Sequence, residues 1–340
     1  MRLTRRSVLF GGAAAVAVGG GGIALAQRPS AVLAPTAIAV RGTAIDRFSV
    51  TDPDRRRFGA LTFRSGLVLA SDVGGFGGFS GLSRSADGRQ LVAIADNSQW
   101  LTARVETSDG HLSGLSQAIV APIVGPDGRP LRRTRYYDSE GFTIAGGTAY
   151  VSVERNHAIL RFDWARGGVR SRGQLIAIPP EARDLPSNSG LEALGVAPPR
   201  TPIAGALVAI AERAAGGGAP TLGFILTGPR AGMFKVSRSD DYDVTDLAFL
   251  PGGDLLLLER RFSLFGGLNA RLRRIRADAI RAGALVDGPV VFVTEPSQQV
   301  DNMEGIAVHE EAGDTIVTLI SDDNFRSFQR TLLLEFTLAE

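Results

Sequence analysis

Carboxylates recur at the start of apolar runs in this chain. Glu304 opens one in DNMEGIAV (Asp301–Val308), Glu140 in DSEGFTIA (Asp138–Ala145), Glu192 in SGLEALGVA (Ser189–Ala197) and Asp246 in VTDLAFL (Val244–Leu250). A fifth stretch, FGGFSGLS, has Ser80 in that place. Each apolar run is followed by a turn and a second run, which ends on another acid. These exit acids are Asp96, Glu154, Glu212, Glu259 and Asp322. Crowded carboxylates repel and raise one another's pKa unless something positive stands among them. Arg155, Arg213 and Arg260 directly follow exit acids and can pair with them. A hard cation can take the others, since Ca²⁺ accepts about six to eight oxygens in flexible geometry. The chain has no cysteine and 3 histidines, His111, His157 and His309, so its donors suit oxygen coordination better than zinc. The plainer alternative is that the acids accept from strand-end N–H groups and brace neighbouring units through the arginines.

The elements that must position these acids form a repeat. The units start near Phe76, Tyr137, Ser187, Tyr242 and Asp301, about fifty to sixty residues apart. After the two runs that carry the acids come two more strand-like segments, such as HAILRFDW then RSRGQLIAI, or ARLRRIRAD then PVVFVTE. Four strands per unit, repeated around an axis, predict an all-β β-propeller. The last unit offers only EGIAV, DTIVTLIS and RTLLLEFTL. The segment FGALTFRSGLVLAS (Phe58–Ser71) can supply its missing outer strand and close the ring, which removes open sheet edges. Five blades are expected, with six the alternative if Ala37–Ser71 adds a partial blade. In this geometry up to nine carboxylates face one mouth of the central channel.

Composition narrows the functions available. The 340 residues carry a formal charge of +2 and 42 glycines. Scattered arginines without a dominant basic balance give no electrostatic footprint for nucleic acid. Without cysteine, disulfides, thiolate catalysis and iron–sulfur clusters are excluded. The first 26 residues have a basic start, an Ala/Gly/Val stretch and a small-residue end at Ala24-Leu25-Ala26, the layout of a secretory signal. Arg5-Arg6 makes it a twin-arginine signal, so the expected partner is that export machinery and the expected location periplasmic or secreted. Residues 27–41 read as a linker and 42–340 as one propeller domain. No later run approaches the roughly 20 apolar residues needed to cross a bilayer, so no stable membrane insertion is expected once the signal is removed. A Gly-x-Ser-x-Gly elbow, a P-loop and a dinucleotide-binding fingerprint are all missing.

The ordered set FGALTFRSGLVLAS, FGGFSGL, IADNSQWL, DSEGF, SVERNHAI, SGLEALGVA, LLLLERRF and NMEGIAV…SDDNF resembles the phytase-like family with esterase-like activity of phytase. The likeness runs from about Phe58 to the C-terminus, with Ala193 after Glu192 and Asp246 as its departures. It implies that the repeated acids Asp96, Asp138, Glu140, Glu154, Glu192, Glu212, Glu259, Glu304, Asp322 and Asp323 form an active site, and it implies a phosphoester hydrolase. On that reading Glu140, Glu192 and Glu304 are catalytic, with His157 as general acid. Asp96, Asp138, Glu154, Glu212, Glu259, Asp322 and Asp323 hold Ca²⁺. Arg155, Arg213, Arg260 and Arg326 grip a small phosphorylated substrate bidentately. The alternative is a non-catalytic propeller that binds a ligand or protein, with a structural Ca²⁺.

Overall fold

A computed structural model describes residues 32–187, 189–214, 218–263 and 267–339. The expected export segment 1–26 lies outside them. Four strands precede the first blade: β1 (Thr36–Ala37), β2 (Arg41–Ile45), β3 (Arg57–Phe58) and β4 (Leu61–Ala70). Blade I comprises β5 (Phe79–Arg84), β6 (Gln90–Ala95), β7 (Gln99–Ser108) and β8 (His111–Pro122). Blade II comprises β9 (Ser139–Ala145), β10 (Thr148–Val153), β11 (Ala158–Asp163) and β12 (Gln174–Leu175). Blade III comprises β13 (Leu191–Val196), β14 (Leu207–Ala211), β15 (Thr221–Ile225) and β16 (Gly232–Val236). Blade IV has β17 (Asp243–Phe249), β18 (Leu255–Ser263) and β19 (Gly267–Ile275); β20 (Leu285–Val286) returns to the edge of blade III before β21 (Val290–Val293) completes blade IV. Blade V ends the chain with β22 (Asn302–Glu311), β23 (Asp314–Asp322) and β24 (Thr331–Leu338).

Five antiparallel blades thus close a ring, and the inner strands β5, β9, β13, β17 and β22 touch in that order back to β5. The expected closure occurs: β4 pairs with β24, Leu61 opposite Leu338 and Leu69 opposite Thr331. Arg41–Ile45 adds an outermost strand to blade V instead of starting a sixth blade. The expected linker 27–41 is not free throughout its described part. Thr36–Ala37 pairs with Val120 and Ile119, and the Ile38 N–H donates to Ala118 O, so this stretch edges blade I.

The core explains why the strands read as continuous apolar runs. Each hydrophobic cluster lies between two consecutive blades, so both faces of most strands are buried. Leu255-Leu256-Leu257-Leu258 shows the rule: Leu256 and Leu258 pack toward blade V, Leu255 and Leu257 toward blade III. Alternation along a strand sends successive side chains to opposite neighbours. At the blade IV–V seam Phe48 packs against Phe58, Phe63, Phe292 and Phe336, stacked on Phe63 and edge-on to Phe58 and Phe336, with ring centroids 4.9–6.1 Å apart. Removing one such buried ring costs about 3–5 kcal/mol.

Candidate functional site

Every inner strand carries a β-bulge at the same place. Pairing slips between Phe79 and Gly81, Leu191 and Ala193, Val244 and Asp246, Met303 and Gly305, and in blade II between Ser139 and Phe142. The extra residues are Ser80, Glu192, Thr245, Glu304 and, with Gly141 beside it, Glu140. A bulge bends its strand and re-aims the side chain it carries. Two residues before each bulge the chain pairs with the exit position. Asp96 N–H donates to Gly78 O (2.8 Å), Glu154 N–H to Asp138 O (3.0 Å) and Glu212 N–H to Gly190 O (2.9 Å). In the other two blades Asp243 pairs with Arg260 and Asn302 with Asp322.

This register corrects blade IV. Its bulge residue is Thr245, not Asp246, and its exit residue is Arg260, not Glu259. Asp246 falls where other blades have Gly81, Gly141, Ala193 and Gly305. A Cβ on Gly81 would come within 2.7 Å of Phe142 Cβ, and one on Gly141 within 2.6 Å of Glu192 O, because inner strands nearly touch there. Asp246 instead reaches across that gap and accepts from Ile306 N (2.9 Å) and Leu247 N (2.8 Å). It is fully buried, and burial pushes its carboxyl well above the ordinary value against the pull of those two N–H groups. Glu259 continues the Leu255–Leu257 face, away from the mouth. There it accepts from Arg271 Nε (2.7 Å) and Arg273 Nε (2.8 Å). It is therefore a buried brace and not a metal ligand.

Blades II and III bring the predicted acids together. Asp138, Glu140 and Glu154 offer oxygens within 4.8 Å of one another, and so do Glu154, Glu192 and Glu212. Glu154 belongs to both groups. Burial, and then the charges of Glu192, Asp138, Glu154 and Glu304, push the Glu140 carboxyl well above its ordinary value. Glu140 and Glu304 therefore share one mouth, as their equivalent positions require. A set made only of carboxylate oxygens fits a hard divalent cation such as Ca²⁺. Arg155 holds Asp138 from the side (Nε to Oδ2, 2.8 Å) and stacks on Tyr137. Arg213 spans Glu212 (3.9 Å) and Asp243 (3.3 Å). About a third of each guanidinium side chain stays exposed, 38% for Arg155 and 35% for Arg213.

Blades IV and V answer the same problem with an internal cation. Arg260 Nε stands 3.2 Å from Glu304 Oε1, and its Nη1 donates to Asn302 Oδ1 at 2.5 Å. The Asn302 amide donates in turn to Glu304 Oε1 (2.9 Å) and Asp322 Oδ2 (3.3 Å). Sequence pattern does not mark Thr245 and Asp243, and the signal for Asn302 is an amide flanked by acids in DNMEG. Asp322 also accepts from Asn324 N (2.6 Å). Asp323 is a loop fastener, accepting from Gly78 N, Phe325 N and Thr331 Oγ1, and so is not placed as a metal ligand. Asp96 is buried at the exit of blade I, beside Gly78. Arg326 lies in the same loop as Asp323, its guanidinium 5.9 Å from the Phe328 ring. His157 does not fit a general acid. It is 6% exposed, and burial lowers its pKa against an opposing backbone contact with Leu185, so its ring is held toward the neutral form.

A family model described as Phytase-like, esterase-like activity of phytase, matches residues 74–325, which spans all five bulges and exits. The chain belongs to this phytase-like family. No curated protein sequence matches this phytase-like chain. Among solved structures it is similar to a protein of unknown function from Dyadobacter fermentans, with 11% identity, 91% of this chain and 96% of that one covered, and a TM-score of 0.43. It is also similar to the PQQ-bound aldose sugar dehydrogenase of Streptomyces coelicolor, with 13% identity, 88% and 99% covered, and a TM-score of 0.41. A nidogen/laminin complex gives 10% identity, 77% and 87% covered, and a TM-score of 0.38. Among the described residues no helix is long and apolar enough to cross a membrane.

Proposed function

We propose that this phytase-like protein is an exported, metal-dependent phosphoesterase acting on a small phosphorylated substrate at the acidic mouth. The observation that carries the reading is the pair of carboxylate triplets sharing Glu154. Asp138, Glu140, Glu154, Glu192 and Glu212 would hold Ca²⁺, with Asp96 and Asp322 adding negative charge around the ring. When bound, such an ion polarises phosphate oxygens and lowers the pKa of a coordinated water. Arg155 and Arg213 present exposed guanidinium faces that can grip phosphate bidentately. Glu140 and Glu192, on bulges, orient the reacting groups. Glu304, held by Arg260 and Asn302, is a positioning residue in this reading.

Residues 1–26 are proposed to direct the protein through the twin-arginine route to the periplasm or beyond. A second reading, a non-catalytic binding propeller, is favoured by the bracing of blades IV and V, where Arg260 already compensates Glu304. The deciding experiment measures phosphate release from a panel of monoesters and diesters, with Ca²⁺ and with chelator. Calcium-dependent turnover supports the phosphoesterase. No release from any ester with Ca²⁺ present leaves the binding propeller.

A further inference from the structure

The outer flank of blade II carries a feature that the acidic mouth does not use. A cavity of about 620 Å³ opens there, lined by Arg161, Arg166, Arg172, Thr148, Ser171 and Gln174. The Gly146–Gly147 turn, just past the far end of β9, also lines it. Glu140 is near the start of the same strand, about 17–20 Å away for a run of this length. The cavity is therefore separate from the mouth.

Its charge is unusual for this chain. Arg161, Arg166 and Arg172 face the single carboxylate of Asp163, which is itself 59% exposed and stands 3.8 Å from Arg166. Three positive groups against one negative leave a local excess of two. Among the described residues, neither Arg161 nor Arg172 has a carboxylate within ion-pair distance. Arg161 is held by a neutral partner, donating to Gln174 Oε1 at 3.0 Å. The Arg172 backbone bridges to Val124, and its guanidinium lies against Gly128 in the neighbouring loop. That loop continues into Arg129, Arg132 and Arg133, which are all exposed; among the described residues Arg129 pairs with Asp127, and Arg132 and Arg133 have no carboxylate within ion-pair distance.

The frame is fixed by backbone contacts. Ala165 N–H donates to Gly147 O at 2.9 Å, and Gly173 N–H to Val124 O at 2.8 Å. A Cβ on Gly147 would lie 2.8 Å from Ala165 Cβ, so the glycine turn permits this close approach. We infer that this cavity is an anion site for a phosphate-bearing ligand, gripped by Arg161 and Arg172 with Thr148 and Gln174 at its edge. Guanidinium forks match phosphate oxygens, and the volume suits a small ligand or a headgroup. The inference is independent of any activity at the mouth.

The test uses the purified protein in EDTA, so that no metal bridges the probe to the acidic mouth. Titration calorimetry with inorganic pyrophosphate is expected to show saturable binding that weakens at least about tenfold in Arg161→Ala/Arg172→Ala. Both side chains are exposed, and unchanged circular dichroism and melting confirm that the variant folds. In parallel, co-sedimentation with phosphatidylglycerol vesicles tests the headgroup source. Vesicle binding lost in the double variant, without pyrophosphate binding, assigns the site to a lipid phosphate. Binding that survives the double substitution, or neither probe binding to the wild type, overturns the inference.

Discussion

Blades II–III and blades IV–V occupy equivalent positions on one ring and solve its charge problem in opposite ways. In II and III the bulge and exit residues are Glu140, Glu154, Glu192 and Glu212, gathered within ligand distance. In IV and V the same positions hold Thr245, Arg260, Glu304 and Asp322, and Arg260 supplies the positive charge. One half carries an arginine at an exit position, whereas the other gathers five carboxylates between two flanking arginines, Arg155 and Arg213, an arrangement that an external cation can relieve. The backbone is common to both, and two residues of blade IV, Thr245 at the bulge and Arg260 at the exit, separate them. The proposed ion dependence should therefore reside in II–III.

The largest effect should come from Glu154→Gln, since Glu154 belongs to both triplets. Turnover of a phosphoester is expected to fall more than about 100-fold, beyond the range of an outer-shell change, and Ca²⁺ should no longer shift the melting curve. Full activity with the calcium shift intact would move the site off these blades. Arg260→Met should act on stability in chelator instead. It leaves Glu304 buried without its cation, a loss of about 3 kcal/mol in denaturant titrations, and Ca²⁺ should recover part of it. If Arg260→Met and wild type unfold alike, the two halves are not differently balanced.

Calcium itself should stabilise the wild type by about 2.7 kcal/mol at a hundredfold excess over its dissociation constant. Superimposed melting curves with Ca²⁺ and with chelator would mean that protons or arginines neutralise both halves. The smallest effects are in pH dependence. The Glu140 carboxyl is raised in the fold, so its contribution in chelator is full below about pH 4.5 and is lost as pH rises through the raised value. Glu140→Gln or Ca²⁺ should flatten that limb. His309, at the other end of β22, is lowered to about 4 by burial and then by Arg84, with Arg64 acting the same way and Glu311 and Asp87 opposing. Its contribution is full above about pH 6.5 and is lost as pH falls toward about 4. His309→Gln should flatten the acid limb alone; an unchanged acid limb would exclude this histidine as its source.

The sequence made the blades legible because each run serves two neighbours and is apolar throughout, as Leu255–Leu258 shows. The acids at the mouth were legible in four blades for the same positional reason. Blade IV departs from the pattern, because an alignment of acid with acid sets Asp246 on Glu304. Matching the apolar residues instead, Leu247-Ala248-Phe249 with Ile306-Ala307-Val308, puts Thr245 on Glu304 and leaves Asp246 on Gly305. The partners of Glu259, Arg271 and Arg273, sit on the adjacent strand, and no local spacing announces them. Asn302 was hidden because its value lies in joining Arg260 from another blade to two acids of its own.

The pairing of β4 with β24 has a kinetic consequence. Residues 61–69 find their partners at 331–338, so the clasp forms between stretches at nearly opposite ends of the chain. Such non-local pairing is slow, because the whole intervening loop must be ordered before the contact repays it. Blades I to IV draw their strands mainly from contiguous sequence and can assemble early, whereas blade V waits for the two ends to meet. Until they do, the edges of β4 and β24 stand open, and this interval is when the chain is most exposed to intermolecular strand pairing.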